Sequence, residues 1–163
     1  MSMDFQEQDR RVRAGQIIIA AMAGGIVALA AVVVQLHVTG QMPARNGGTH
    51  PIITYVALAT ALMCVAPAVL VPRLVIQDRV RGLASLETDD ARARALLEAW
   101  LTSLIIRGAL IEGPALFLVV AFLVERKSVS LAVAALLTVV LVAMMPTRDR
   151  VGRWVERHLR PAG

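Results

Sequence analysis

The sequence has little with which to do chemistry in solution. Its 163 residues include one cysteine, one lysine and one tyrosine, and aromatic residues make up only 4%. A lone Cys64 excludes an intrachain disulfide framework, and there is no CxxC or HExxH spacing and no Gly-rich phosphate loop. Ser103 has no neighbouring His or Lys to activate it, so serine hydrolysis lacks a partner residue. His37, Met42 and His50 flank one loop at irregular spacing and read as loop residues rather than metal ligands. No catalytic residue, metal or cofactor is expected, and the chain reads as non-enzymatic.

What is present is apolar. Hydrophobic residues are 57% of the chain, against about 45–50% in soluble domains, and the mean hydropathy is +0.66. They lie in four blocks of roughly 20 residues, the length a helix needs to cross a bilayer. The expected fold is all-α: four transmembrane helices at about 15–38, 52–72, 97–124 and 129–145. A cytoplasmic tail covers 1–14, and a basic amphipathic tail covers 147–163. Ala21-Met22-Ala23 imitates a signal-peptidase site, but the apolar block continues well past it, so a retained first helix is expected. Residues 39–51, with two Pro, three Gly and an Asn, carry turn chemistry. The second block is expected to stop at Pro72. Within the amphipathic connection 73–96, Thr88 reads as an N-cap followed by Asp89 and Asp90, opening a helix that runs into the third block. Glu125-Arg126-Lys127 reads as a tight turn.

The basic excess, 17 against 12 acidic residues, would suggest nucleic acid in a soluble protein. Here it flanks the apolar blocks. The N-terminal tail, the 73–96 connection and the C-terminal tail hold 13 Arg, against 3 basic residues in the other two connections. That bias places both termini and the long connection in the cytoplasm of a bacterial inner membrane, with no nucleic-acid partner. In the tail, Val151, Trp154, Val155 and Leu159 form one helical stripe among arginines, the pattern of an interfacial helix. Its anionic-headgroup contacts would come from Arg153, Trp154 and Arg157. Trp100 and Tyr55, near block ends, read as interface anchors.

Small residues recur at four-residue spacing, Ala20, Gly24 and Ala28 in the first block and Ala109 and Gly113 in the third, and the second block offers Ala57, Ala61 and Ala68. These are faces where helices can meet, within one chain or between chains. The third block also holds the only ionisable pair deep in an apolar run, Arg107 and Glu112. Each costs about 2.5–3.5 kcal/mol near a helix centre. The fourteen Leu, Ile, Val and Phe of residues 101–124 return about 4–8 kcal/mol, so the segment is near break-even. Five residues turn a helix by about 140°, which sets the pair on different faces. Arg107 is expected to reach past Ser103 toward headgroups. Glu112 is expected to lean over the room left by Gly108, with Thr60, Cys64, Thr138 and the Met63 carbonyl freed by Pro67 as partners. Pro114 predicts a kink beside it.

The spacing Arg107, Leu110, Glu112, Gly113, Ala115, Phe117, together with Pro146-Thr147 and the basic tail, resembles a widespread uncharacterised family of small bacterial four-helix integral membrane proteins. The likeness covers nearly the whole chain, and the family implies no activity. ALIEGPALFLVVAFL is also locally similar to the proteolipid c subunits of rotary ATPases, whose carboxylate lies mid-membrane. The second block lacks the glycine repeat of their inner helix, and the 73–96 connection is longer and lacks their polar loop motif. Three functions are consistent with the residues. The first is an oligomer or complex subunit with a buried polar site at Glu112, and the second a small proton- or cation-conducting assembly using it. The third is an adaptor whose basic connection and tail bind a cytoplasmic partner or lipid headgroups.

Overall fold

A computed structural model describes residues 5–41, 52–82, 88–147 and 153. They form four helices, α1 (Phe5–Val38), α2 (Ile52–Gly82), α3 (Asp89–Glu125) and α4 (Ser128–Ala143), with no strand among the described residues. α1 and α3 point the same way: Arg11 reaches Glu98 at 3.4 Å near their starts, and the rings of His37 and Phe122 stand 5.6 Å apart near their ends. α2 and α4 run the other way. α3 packs against all three others and most extensively against α2, whereas α1 and α2 make no substantial contact.

Three segments, Asp9–Val38, Ile52–Asp78 and Arg94–Glu125, are long and apolar enough to cross a membrane. Their outward faces stay apolar: Ile17, Leu62 and Met63 are 69%, 75% and 76% exposed. A helix in water hides one apolar stripe and shows a polar face; helices apolar all round belong in a core or a membrane. The inward faces close on α3 through Ile19, Ala57, Ala115, Leu118, Val119, Ala121 and Leu141, all buried.

Two helices are longer than the apolar pattern predicts. α1 begins at Phe5 rather than near residue 15, because the Gln, Glu, Arg and Ala before the apolar run are good helix formers and Val12 is buried. α2 does not stop at Pro72 but runs to Gly82 with Pro67 and Pro72 inside it. Each proline removes one hydrogen bond from the ladder, and the remaining bonds carry the helix on through residues 73–82. α3 starts as expected, with the Thr88 hydroxyl accepting from Ala91 N–H at 3.3 Å. The turn into α4 is made by Arg126 in the left-handed region, φ 54°, its N–H bonded to the Phe122 carbonyl. Of the C-terminal tail only Thr147 and Arg153 are described, Arg153 helical and exposed; Trp154 and Arg157 lie outside the described residues.

Both ends of the assembly are pinned by polar contacts. At the Pro146 end, Gln16 Nε2 donates to the Pro146 carbonyl at 3.0 Å, and Gly15 lets Leu101, Leu104 and Pro146 close over α1, where a Cβ would stand 3.2–3.4 Å from them. At the other end α2 opens without an acid in its own first turn. Glu125, from the last turn of α3, supplies one: its carboxylate accepts from the N–H groups of Ile53 at 2.6 Å and Thr54 at 2.8 Å. That satisfies two of the free donors of a helix N-terminus and places a negative charge at the positive end of its dipole. The Thr54 and Ser130 hydroxyls, 3.1 Å apart and buried, join α4 to the same point.

Glu125→Ala removes both acceptors and is expected to destabilise the protein by about 2 kcal/mol, read as a lowered melting temperature in detergent. Gly108 is buried, and a Cβ there would stand 2.9 Å from Met22 Sδ. Gly108→Leu should therefore open the α1–α3 seam and lower the melting temperature, whereas Gly24→Leu should leave it unchanged.

Candidate functional site

The polar residues of α3 separate onto two sides, as the 140° turn between them requires. Glu112 is partly buried on the flank of α3 that faces α1, and a Cβ at Gly25 would stand 3.9 Å from its Oε1. Arg107 points toward α2 and α4, and no ion pair joins the two.

The partners expected for Glu112 are not its neighbours. Thr60 Oγ1 donates to the Val56 carbonyl at 2.9 Å, and Thr138 Oγ1 to the Ala134 carbonyl at 2.8 Å, each within its own helix. Cys64 lines the cleft that holds Arg107, and Thr138 lines a separate cleft between α1 and α4. The reason is the order of helices around α3: α1 flanks the carboxyl, so groups on α2 and α4 cannot meet it. Gly108 does not make room for the carboxyl either; Met22 of α1 fills that space. Among the described residues Glu112 therefore makes no hydrogen bond or ion pair.

Around this carboxyl the chain is open. Ala109 and Gly113 are exposed on α3, as are Ala20, Gly24 and Ala28 on α1. A Cβ built at Gly24 or Gly113 would meet nothing within 4 Å. The small-residue faces of α1 and α3 read from the sequence therefore close no seam inside the chain, whereas Ala57 of the α2 face is buried in one. The seams are closed by Gly15, Ala57, Gly108, Ala115, Ala121 and Ala134, which are all buried. Because α1 and α2 scarcely meet, the strip of α3 between them, bearing Ala109, Glu112 and Gly113, faces outward.

On the other side, α2, α3 and α4 enclose a cleft of about 500 Å³ lined by Arg73 and Arg107 and otherwise largely by apolar side chains. Arg107 Nε is buried there without a hydrogen-bond partner. Ser103, one turn earlier, is buried and bonds the Trp100 carbonyl at 2.7 Å.

Two contributors escaped the sequence reading. By composition Arg73 belongs to the polar connection 73–96, yet it stands on the continuous helix α2. By composition Glu125 reads only as part of a turn; the signal for more is that it is the one acid in the two connections opposite the basic tails and that α2 starts there without an acid of its own.

No described nucleophile stands beside a general base. What the arrangement offers is a carboxyl able to donate or accept a hydrogen bond, or exchange a proton, with something outside the chain. Because Glu112 has no partner to lose, Glu112→Gln should change the stability of the isolated chain by less than about 0.5 kcal/mol, checked by thermal unfolding in detergent. No protein-family model, curated protein or solved structure matches the chain.

Proposed function

We propose that the chain is a non-enzymatic integral membrane protein, of the small four-helix bacterial kind it resembles, and that it works as a homo-oligomer whose copies meet over the Glu112 strip of α3. The observation that carries this reading is the outward-facing carboxyl with no partner, set among residues too small to cover it. A Glu exposed to lipid near the centre of a span costs about 2.5–3.5 kcal/mol, and a hydrogen bond across helices recovers about 0.6–2 kcal/mol. Without a hydrophobic drive between helices in lipid, association depends on close backbone approach. Ala109 and Gly113 permit that approach on α3, and Ala21 and Gly25 permit it on α1. A flat strip of small residues is complementary to itself, and closed symmetric self-association is the commonest form of oligomer. The excess of arginine on both tails and the 73–96 segment supports cytoplasmic termini and an inner-membrane location.

Native mass measurement of the protein released from lipid tests this. The wild type should appear as a multiple of the 17.5 kDa chain. Gly113→Leu, which puts a large side chain on the strip without touching the chain's own core, should yield monomers that still melt cooperatively. A wild type that is monomeric in lipid would overturn the reading. Proton flux in liposomes that Glu112→Gln abolishes, with the oligomer intact, would make it a conducting assembly instead.

A further inference from the structure

We infer that the cleft between α2, α3 and α4 is a binding site for an anionic phospholipid, with the headgroup phosphate held between Arg73 and Arg107 and an acyl chain lying below them. The inference rests on the chain crossing a membrane, but not on its oligomeric state or on Glu112.

Charge is the first argument. Two guanidinium groups line one cleft, and among the described residues no acidic side chain lines it. Neither arginine makes a hydrogen bond or ion pair with a described residue, and Arg107 Nε is buried with its donor unused. A buried unpaired donor on a charged group is costly. The planar fork of arginine matches the oxygens of a phosphate in two parallel hydrogen bonds.

Depth is the second. The Glu125 clasp gives a common reference for α2 and α3. Arg107 lies 18 residues from Glu125 along α3, and Arg73 lies 20 residues from Ile53 along α2. At 1.5 Å per residue these are about 27 Å and about 30 Å, so the two arginines share a level. That separation is about one hydrocarbon thickness. With the clasp at one boundary, both guanidiniums stand where headgroup phosphates of the other leaflet lie.

The shape of the cleft is the third. From the arginines it extends only toward the clasp, along Val65 and Val69 of α2, Leu110 of α3, and Leu137, Val140 and Met144 of α4. Its far end on α2 is Ala61, 12 residues from Arg73, or about 18 Å. One leaflet's hydrocarbon is about 15 Å deep. A polar head at the boundary and an apolar tail one leaflet long is the outline of a membrane lipid. A free anion would leave the apolar length empty.

The test is retention of phosphatidylglycerol against phosphatidylcholine by the full chain, read by native mass spectrometry from mixed micelles. The wild type should retain phosphatidylglycerol at least about tenfold more strongly, and Arg107→Gln or Arg73→Gln should each weaken retention by about tenfold. Arg13→Gln, which removes an exposed arginine outside the cleft, should not. Cys64 lines the cleft and is the chain's sole cysteine, so the unaltered protein gives a second readout: phosphatidylglycerol, but neither phosphatidylcholine nor inorganic phosphate, should slow its alkylation by N-ethylmaleimide. Equal retention of both lipids, or equal loss from Arg13→Gln and Arg107→Gln, would overturn the site. Protection of Cys64 by inorganic phosphate alone would do so too, by making the occupant a free anion. A chain that stays in solution without detergent would instead refute the membrane reading beneath it.

Discussion

The hold of α3 on its neighbours is the interaction on which the rest of this structure depends. It is the main packing partner of every other helix, and it holds them by two means. Along its length, small or absent side chains let neighbours come close: Met22 sits over Gly108, and Ala115 and Ala121 are fully buried. At its end the Glu125 carboxylate takes the first free N–H groups of α2. In a membrane such contacts matter more than apolar area, because lipid is as apolar as the side chains it would be exchanged for. A helix start in hydrocarbon or at its edge needs an internal acceptor, and α3 provides the one that α2 lacks.

With that frame fixed, the polar groups sort by level. Glu125, Thr54 and Ser130 gather at one end, Gln16 and the Pro146 carbonyl at the other, and Arg73 and Arg107 share a third level near the Pro146 end. Thr60, Thr102 and Thr138 turn their hydroxyls back onto carbonyls of their own helices, which removes them from any demand on a neighbour. Among the described residues of the spans, Glu112 fits none of these arrangements. Its position between levels, on an outward strip, is the ground for the proposal that a second chain covers it.

Much of the fold was legible because helix length and apolar content are local properties. The three long spans, the Thr88 cap and the turn at Arg126 all follow from residues within a few positions of one another. The angular separation of Arg107 and Glu112 was legible too, being fixed by helix geometry alone. Which neighbour each would face was not. That depends on the order of helices around α3, and nothing local to Thr60 or Thr138 records it. The small-residue stripes leave a related question open: Ala20-Gly24-Ala28 shows that a face is flat, but not whether the chain or something else lies against it. The extension of α2 past Pro72 was hidden because a proline predicts one lost hydrogen bond, and whether the helix resumes is decided by the residues after it.

The most direct test of the central claim, that this apolar exterior lies in lipid while the Glu112 strip is covered by another copy, is oxygen accessibility of nitroxide labels in a Cys64→Ala background reconstituted in liposomes. Labels at Val139 and at Val120, which lies two turns along the same face of α3 from Gly113, replace side chains that the single chain leaves 65% and 41% exposed. High accessibility to lipid-dissolved oxygen is expected at Val139, and low accessibility at Val120 to both oxygen and a water-soluble quencher. Equal oxygen accessibility at the two positions, or quenching of Val139 from water, would contradict it.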